Sequence, residues 1–216
     1  MSMIYAHRGL HGAERGHIEN STDALVAAEG MGIGIETDVR LTGDGVPVLF
    51  HNRTILGSAV SDITYKLLCK AAGYPVATLD WLLGETWAVD VNLEIKTLAA
   101  YDVFAERMAA MPENQRVFDG LVSSFDHRVV ELARKAGQRC AMLFANAPAV
   151  EDSLPPTREN CSTVVLDFNI VNLDAVSAWR KAGYRVVVYG PKTIGEHHWL
   201  MNMSVGIITD HPEMTA

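Results

Sequence analysis

The sequence predicts an α/β fold in which eight parallel strands, most of them followed by a helix, close into a (β/α)8 TIM barrel. Short apolar runs alternate with longer amphipathic stretches along the 216 residues, and eight of these runs have the length of a strand. No linker, low-complexity tract or repeat divides the chain, so we expect one domain over residues 1–216. A doubly wound open sheet is the main alternative, because 216 residues is near the lower limit for a barrel.

The individual elements follow from the two periodicities of strands and helices. The predicted strands are residues 4–6, 34–40, 89–96, 121–125, 140–144, 164–168, 185–189 and 206–209. The predicted helices are residues 21–31, 79–83, 99–111, 127–136, 173–182 and 193–201. Strands that alternate with helices in this way indicate parallel pairing through crossover helices.

One segment interrupts the alternation after the second strand. Gly43, Asp44 and Gly45 tolerate the positive φ angles of a tight turn, and the apolar run 46–50 follows them. This pattern predicts a short β-hairpin that extends from the second strand. Residues 52–78 then form a short insertion before the helix at residues 79–83.

Composition restricts the classes of partner and location. The formal net charge of −8 argues against nucleic acid and against stable association with an anionic membrane, where a basic surface is expected. The three cysteines are widely spaced, which favours a reducing compartment. The N-terminus lacks a secretory pattern, and no apolar run approaches the ~18 residues of a membrane span. We expect a cytoplasmic protein with a small-molecule partner, and the sequence leaves its oligomeric state open.

Polar side chains lie on two strands that should be apolar if both of their faces are buried. The residues that share a face are Glu36, Asp38 and Arg40 on the second strand, and Asp90, Asn92, Glu94 and Lys96 on the third. One interpretation is internal ion pairing, for example Arg40 with Asp90. The other is a site, because Glu36, Asp38 and Glu94 lie near the carboxyl ends of their strands, where barrel active sites form. Three converging carboxylates repel one another unless a cation joins them, and oxygen ligands favour Mg²⁺ or Ca²⁺ over zinc.

Further candidate residues lie at the same end of the predicted barrel. His7 and Arg8 end the first strand, and the planar guanidinium of arginine suits a phosphate. Glu19 and Asn20 precede the first helix, and a simpler interpretation is that Asn20 or Ser21 caps this helix. The hairpin would bring His51 over the same opening.

These motifs, in this order, resemble the glycerophosphodiester phosphodiesterase family. The matching segments are residues 7–9 (His-Arg-Gly), 19–21 (Glu-Asn-Ser), 35–48, His51, 93–96 (Leu-Glu-Ile-Lys), 123–126 (Ser-Ser-Phe-Asp) and 207–212 (Ile-Ile-Thr-Asp-His-Pro). The resemblance covers nearly the whole chain. Its first ~50 residues are highly specific, whereas the later segments would be weak alone.

The resemblance implies a metal-dependent barrel enzyme that hydrolyses glycerophosphodiesters to glycerol 3-phosphate and an alcohol. Carried over by position, the implied ligands of the divalent metal, Mg²⁺ or Ca²⁺, are Glu36, Asp38, Glu94 and Glu19. The implied acid–base pair is His7 and His51. The implied substrate-binding residues are Arg8, Lys96 and Asn20. Two alternatives remain: a phospholipase C-like or D-like barrel that acts on lipid, and a non-catalytic relative that binds metal and phosphate.

The sequence departs from the family pattern at three places. Asn52 follows His51 where members usually have Asp, and Tyr189–Gly190 stands where they usually have Trp–Thr. The insertion after His51 is also short. Because a short insertion leaves less protein to cover the alcohol side of the site, we expect several alcohol groups to be accepted with little discrimination.

Overall fold

The computed structural model describes residues 3–111, 118–147 and 159–215. Its strands are β1 (Ile4–His7), β2 (Gly34–Leu41), β3 (Pro47–Leu49), β4 (Thr54–Ile55), β5 (Ser58–Ala59), β6 (Val91–Ile95), β7 (Leu121–Ser124), β8 (Cys140–Phe144), β9 (Thr163–Asp167), β10 (Arg185–Tyr189) and β11 (Gly206–Thr209). Its α-helices are α1 (Thr22–Gly30), α2 (Tyr65–Ala72), α3 (Leu79–Gly84), α4 (Leu98–Ala110), α5 (His127–Lys135), α6 (Leu173–Lys181) and α7 (Ile194–Asn202).

Eight of these strands form a closed parallel barrel in the order β1, β2, β6, β7, β8, β9, β10 and β11. The ring closes because β1 pairs with strands on both of its sides. Ala6 lies opposite Ile35 of β2 and opposite Thr209 of β11. The predicted (β/α)8 barrel is therefore confirmed, and the open sheet is excluded.

The hairpin after the second strand is present as predicted. β3 pairs antiparallel with the end of β2, with Arg40 opposite Val48, and lies outside the ring. Gly45 has a φ of 80°, which a residue without a Cβ adopts at low cost. The insertion that follows contains the pair β4–β5 and also α2, which is not among the predicted helices.

The barrel interior is filled by apolar residues contributed by the strands. These are Tyr5, Leu121, Ala141, Leu143, Val165, Val187 and Ile208. Alternate residues of the same strands point outward, as the period of two requires. Val164 and Val186, for example, pack with Trp179 of α6 and Leu200 of α7.

The polar groups at the amino end of the barrel are separate from those at the carboxyl end. Asp90 precedes β6, accepts a hydrogen bond from the Tyr5 hydroxyl at 2.7 Å, and pairs with Arg139 at 3.2 Å. Arg40 lies near the carboxyl end of β2 and donates its Nε to the His51 carbonyl at 2.7 Å. The suggested pairing of Arg40 with Asp90 is therefore wrong, because the two residues lie at opposite ends.

Within the described ranges, none of the helices combines the length and the apolar character that crossing a membrane would require.

Candidate active site

Three buried carboxylates meet at the carboxyl end of the barrel. Glu36 and Asp38 come from β2 and Glu94 from β6, where Asp38 and Glu94 lie opposite each other in the register. The period of two turns all three side chains inward. One oxygen from each lies within 4.8 Å of the others. The structure therefore brings these three predicted metal ligands together, and their role as ligands stays a prediction.

Two basic side chains lie against this carboxylate cluster. The Nζ of Lys96 is 2.6 Å from Asp38 Oδ1 and also contacts Glu94. The Nε of Arg8 is 3.4 Å from Asp38 Oδ2, and the backbone N–H of Arg8 donates to Glu36 at 3.0 Å. The two cations that were predicted to bind phosphate are thus also the counter-ions of the cluster.

Asn20 acts on this cluster through Asp38. Its Nδ2 donates to Asp38 Oδ2 at 2.9 Å, and its Oδ1 accepts from the Thr37 hydroxyl at 2.6 Å and the Asp38 N–H at 3.2 Å. Ser21, and not Asn20, caps helix α1. Asn20 is only 2% exposed, so its side chain positions Asp38. Its predicted contact with substrate stays a prediction.

Glu19 lies apart from the three clustered carboxylates. Its Oε2 accepts from the NH1 of Arg8 at 2.7 Å, and its side chain is 34% exposed. The carboxylate therefore orients the Arg8 guanidinium. Its role as a metal ligand, which the resemblance implies, stays a prediction.

The electrostatics of the cluster show an excess of negative charge. Burial raises the pKa of Glu36 to about 8, and the charge of Asp38 adds to this increase. Burial also raises the pKa of Glu94. For Asp38, burial alone would raise the pKa, but Lys96 and the hydrogen bond from Asn20 outweigh it and hold the pKa below its usual range. A further cation would stabilise all three carboxylates in their ionised form.

His7 is held by a carboxylate from the other end of the chain. Its Nδ1 is 2.7 Å from Asp210 Oδ1, and its Nε2 is 3.9 Å from Glu36. An ionised carboxylate can only accept, so Nδ1 carries the proton and Nε2 faces the cluster. Burial lowers the pKa of His7, but the hydrogen bond with Asp210 and the charge of Glu36 outweigh burial and leave the pKa raised.

His51 follows the hairpin and has a weaker partner. Its Nδ1 is 3.1 Å from the side-chain oxygen of Asn52. Burial lowers the pKa of His51, although the charge of Asp38 acts in the opposite direction. The two histidines predicted as an acid–base pair thus have pKa values shifted in opposite directions.

Both histidines line a cavity of about 270 Å³ at the carboxyl end of the barrel. One side of it is charged and holds His7, Arg8, Glu36, His51, Glu94 and Lys96. The other side is apolar and holds Phe125, Leu143, Val165, Tyr189 and Ile208. A cavity of about 310 Å³ at the amino end is larger but contains none of these charged residues, so chemistry and not size identifies the site.

Sequence reasoning assigned no chemical role to three polar residues at this site. Asn92 Oδ1 and Ser123 Oγ are buried beside the cavity, and neither has a hydrogen-bond partner in the described part of the chain. Ser123 lies opposite Glu94 in the β6–β7 register, and Asn92 lies opposite Glu36. The third residue is Asp210. The family-like segment 207–212 includes it, but nothing in that segment shows its contact with His7.

The fold and the cavity define a TIM-barrel protein with a buried acidic cluster, two histidines and two cations at the end where barrel enzymes place their active sites. The model of the glycerophosphoryl diester phosphodiesterase family matches residues 7–214. The chain belongs to this family, and the prediction that it is a phosphodiesterase is confirmed.

Individual relatives agree with this assignment. A curated Mycobacterium tuberculosis protein, named probable glycerophosphodiester phosphodiesterase 2, is 27% identical and aligns with 90% of this chain and 83% of its own. A glycerophosphodiester phosphodiesterase structure from Parabacteroides distasonis has a TM-score of 0.81 at 21% identity, covering 99% of this chain and 94% of its own. An Oleispira antarctica phosphodiesterase, solved in complex with the product sn-glycerol-3-phosphate, has a TM-score of 0.77 at 20% identity, covering 99% of this chain and 94% of its own. At these identities the two structures support the barrel fold.

The contacts of Asp210 predict a pH-dependent contribution to stability. The contact with His11, whose Nε2 is 3.4 Å from Asp210 Oδ1, and the hydrogen bond from His7 hold the pKa of Asp210 below its usual range. Lys192 lies 2.9 Å from its Oδ2. Because charge-assisted hydrogen bonds are lost, Asp210→Asn should lower the free energy of unfolding near neutral pH by roughly 1.5–3 kcal/mol. A carboxylate with a depressed pKa stabilises the folded state above the unfolded pKa of about 3.9, and this contribution declines as the pH falls below that value.

Urea unfolding of wild type and variant at about pH 7, 5 and 3 measures this contribution, and the difference should shrink toward the lowest pH. Asp102→Asn, at an exposed position of α4, is the matched control and should change stability by less than about 0.5 kcal/mol at each pH. If the difference in the free energy of unfolding between wild type and Asp210→Asn does not change with pH, the loss comes from packing and not from charge.

Proposed function

We propose that the protein hydrolyses small glycerophosphodiesters to glycerol 3-phosphate and an alcohol, with a divalent metal and His7 and His51 as the proton-transfer pair. The observation that carries this proposal is the buried cluster of Glu36, Asp38 and Glu94 beside both histidines in one cavity. Family membership and the named relatives support the class of substrate. From composition alone, we also propose that the protein is cytoplasmic, binds no nucleic acid and does not associate stably with membranes.

The three clustered carboxylates fit a hard divalent cation. All donor atoms are oxygens, as Mg²⁺ and Ca²⁺ require. The counter-ions Lys96 and Arg8 supply two positive charges against three carboxyl groups, and Arg8 also pairs with Glu19. The raised pKa of Glu36 agrees with a site that lacks positive charge. A bound Mg²⁺ or Ca²⁺ would supply Lewis-acid stabilisation of negative charge on the phosphate oxygens.

The substrate phosphate would lie in the cavity, next to the cluster and the two cations. Arg8 and Lys96 line the cavity and offer N–H donors to its oxygens. Glu19 fixes the Arg8 guanidinium from outside the cavity, so this donor is oriented before substrate binds. Fixed donors of this kind stabilise charge that develops in the transition state.

The histidines would move the protons of the reaction. The leaving alkoxide needs a proton, which a histidine can supply near neutral pH. Asp210 fixes the proton of His7 on Nδ1, so its Nε2 is the atom that can exchange a proton with the substrate. The other histidine accepts the proton of the nucleophile.

Metal dependence is the first test of this function. Chelation should abolish release of glycerol 3-phosphate from glycerophosphocholine, and Mg²⁺ or Ca²⁺ should restore it, since the carboxylates need a cation to be fully ionised. Glu94→Gln should weaken metal binding at least about tenfold, as measured by calorimetric titration, because ligand loss typically costs more than loss of a supporting residue. Glu106→Gln, at an exposed position of α4, is the control. Full activity after exhaustive chelation would contradict metal dependence and would mean that the three carboxylates have another role.

Loss of either histidine should affect turnover and leave metal binding intact. We expect His7→Ala and His51→Ala to lower kcat by roughly 10²–10⁴-fold, the usual contribution of general acid–base groups. His198→Ala, at an exposed position of α7, should change kcat little. If His51→Ala lowers kcat only a few fold, the hairpin residue is structural, and the proton transfer belongs to another group.

The attacking group should come from the substrate itself. In the described part of the chain His7 bonds to Asp210 and His51 to Asn52, and neither contacts a Ser, Thr or Cys side chain. The nucleophile is therefore water or the glycerol hydroxyl next to the phosphate ester. That hydroxyl has the advantage of an intramolecular reaction. Its attack would form a five-membered cyclic phosphate and expel the alcohol, and water would then open the ring.

A substrate analogue with hydrogen in place of that hydroxyl distinguishes the two routes. The cyclic route predicts almost complete loss of turnover, while the analogue still competes with the natural substrate because its phosphodiester is intact. The measurement is release of the alcohol together with the inhibition constant. Hydrolysis of the analogue at a rate close to that of the natural substrate would show direct attack by water.

A further inference from the structure

The apolar side of the cavity contains an aromatic corner, formed by Phe125 and Tyr189. Phe125 directly follows β7 and Tyr189 ends β10, and both line the cavity. Their ring centroids are 6.1 Å apart and their planes meet at 86°. Rings at a right angle form two adjoining walls, whereas stacked rings would form one. Phe125 is 45% exposed, so this corner is open to a ligand.

A carboxylate lies beside one of these walls. Tyr189 lies opposite Asp167 in the β9–β10 register, which places the two side chains on the same face of the sheet. Burial raises the pKa of Tyr189, and the nearby charge of Asp167 raises it further, so the phenol stays protonated. A carboxylate next to the ring makes the surroundings of the ring more negative, which favours a cation over its face.

The other residues on the apolar side of the cavity are uncharged and offer a ligand only apolar contacts. Leu143, Val165 and Ile208 form the floor of the cavity next to the corner. The cations that line the cavity, Arg8 and Lys96, are both paired with carboxylates on the charged side. Glu94 is near enough to contribute to the raised pKa of Tyr189. A positively charged group at the corner would thus meet aromatic faces and negative charge.

We propose that the corner of Phe125 and Tyr189, backed by Asp167, binds the alcohol side of the substrate and selects a head group that carries a quaternary ammonium. This inference rests on the proposed glycerophosphodiester hydrolysis. The short insertion alone leads to an expectation of little discrimination among alcohols. The corner lies on the opposite wall, contributed by β7 and β10, and supplies a reason for discrimination by charge.

The test compares two substrates that differ in charge and share the same shape. One is glycerophosphocholine, and the other is the glycerophosphodiester of 3,3-dimethylbutanol, in which a carbon replaces the ammonium nitrogen. A merely apolar wall would favour the neutral ester, because the cation must lose its hydration to bind. The proposed corner should favour the choline ester in kcat/KM by about tenfold, the scale of a partly desolvated cation–π contact.

Variants assign the preference to the corner. Tyr189→Leu and Phe125→Leu should each lower kcat/KM for the choline ester more than for the neutral ester, so that the ratio falls toward about one. Tyr189→Phe keeps the ring and removes the hydroxyl next to Asp167, and its ratio of kcat/KM for the choline ester to kcat/KM for the neutral ester should lie between the ratios of wild type and Tyr189→Leu. Phe168→Leu is the matched control, because Phe168 belongs to a similar edge-to-face pair with Trp199 and does not line the cavity.

The outcomes separate this inference from the proposed function. The inference is supported if kcat/KM for the choline ester is well above that for the neutral ester in wild type. This ratio must also fall in Tyr189→Leu and Phe125→Leu and stay unchanged in Phe168→Leu. A wild-type ratio at or below one, or a ratio that the leucine variants leave unchanged, overturns it, while release of glycerol 3-phosphate from both esters would still support the proposed function. If neither ester releases glycerol 3-phosphate, the proposed function fails and this inference fails with it.

Discussion

The ion pair between Asp38 and Lys96 is the contact on which the arrangement of the site depends. Asp38 is fully buried and lies 2.6 Å from the Lys96 nitrogen, which also contacts Glu94. A buried charge costs several kcal/mol in lost hydration, so Asp38 is tolerated only because its partners surround it. Asn20 and Arg8 approach its other oxygen. One carboxylate of β2 thereby fixes the positions of residues from the β1–α1 loop and the end of β6.

The β1–α1 loop adopts an uncommon backbone to meet these carboxylates. Arg8 and Asn20 have φ values of 57° and 58°, a conformation that costs a non-glycine residue of order 1–3 kcal/mol. The Asn20 N–H donates to the Arg8 carbonyl at 2.9 Å, which links the two residues. Gly9 allows the loop to pass close to α1, since a Cβ there would lie 2.6 Å from the backbone of Ala24. The contacts with Glu36 and Asp38 offset the strain, so loop and cluster hold each other in place.

Local pattern is sufficient to predict the barrel and most of the charged side, because a strand's period of two determines which residues share a face. That rule alone places Glu36, Asp38 and Glu94 on the inward faces of their strands. It gives no information on pairs that only barrel closure creates: His7 and Asp210 are 203 positions apart and meet because β1 pairs with β11. The suggested Arg40–Asp90 pair was wrong because sharing an inward face does not specify which end of the barrel a residue occupies. Helix α2 was missed because it lies in an insertion that the barrel alternation does not describe.

The two sides of the cavity are built from different parts of the ring, and this division has a functional consequence. Most of the charged side comes from β1, β2 and β6 and the segments that follow them, whereas the apolar side comes from β7 through β11. The buried carboxylates are tied to one another through Asn20, Arg8 and Lys96, so a substitution among them disturbs the whole network. Phe125 and Tyr189 make no hydrogen bond to that network in the described part of the chain. The charged side is therefore constrained by its buried ion pairs, whereas the apolar side is not tied to that network and can change with little effect on the cluster.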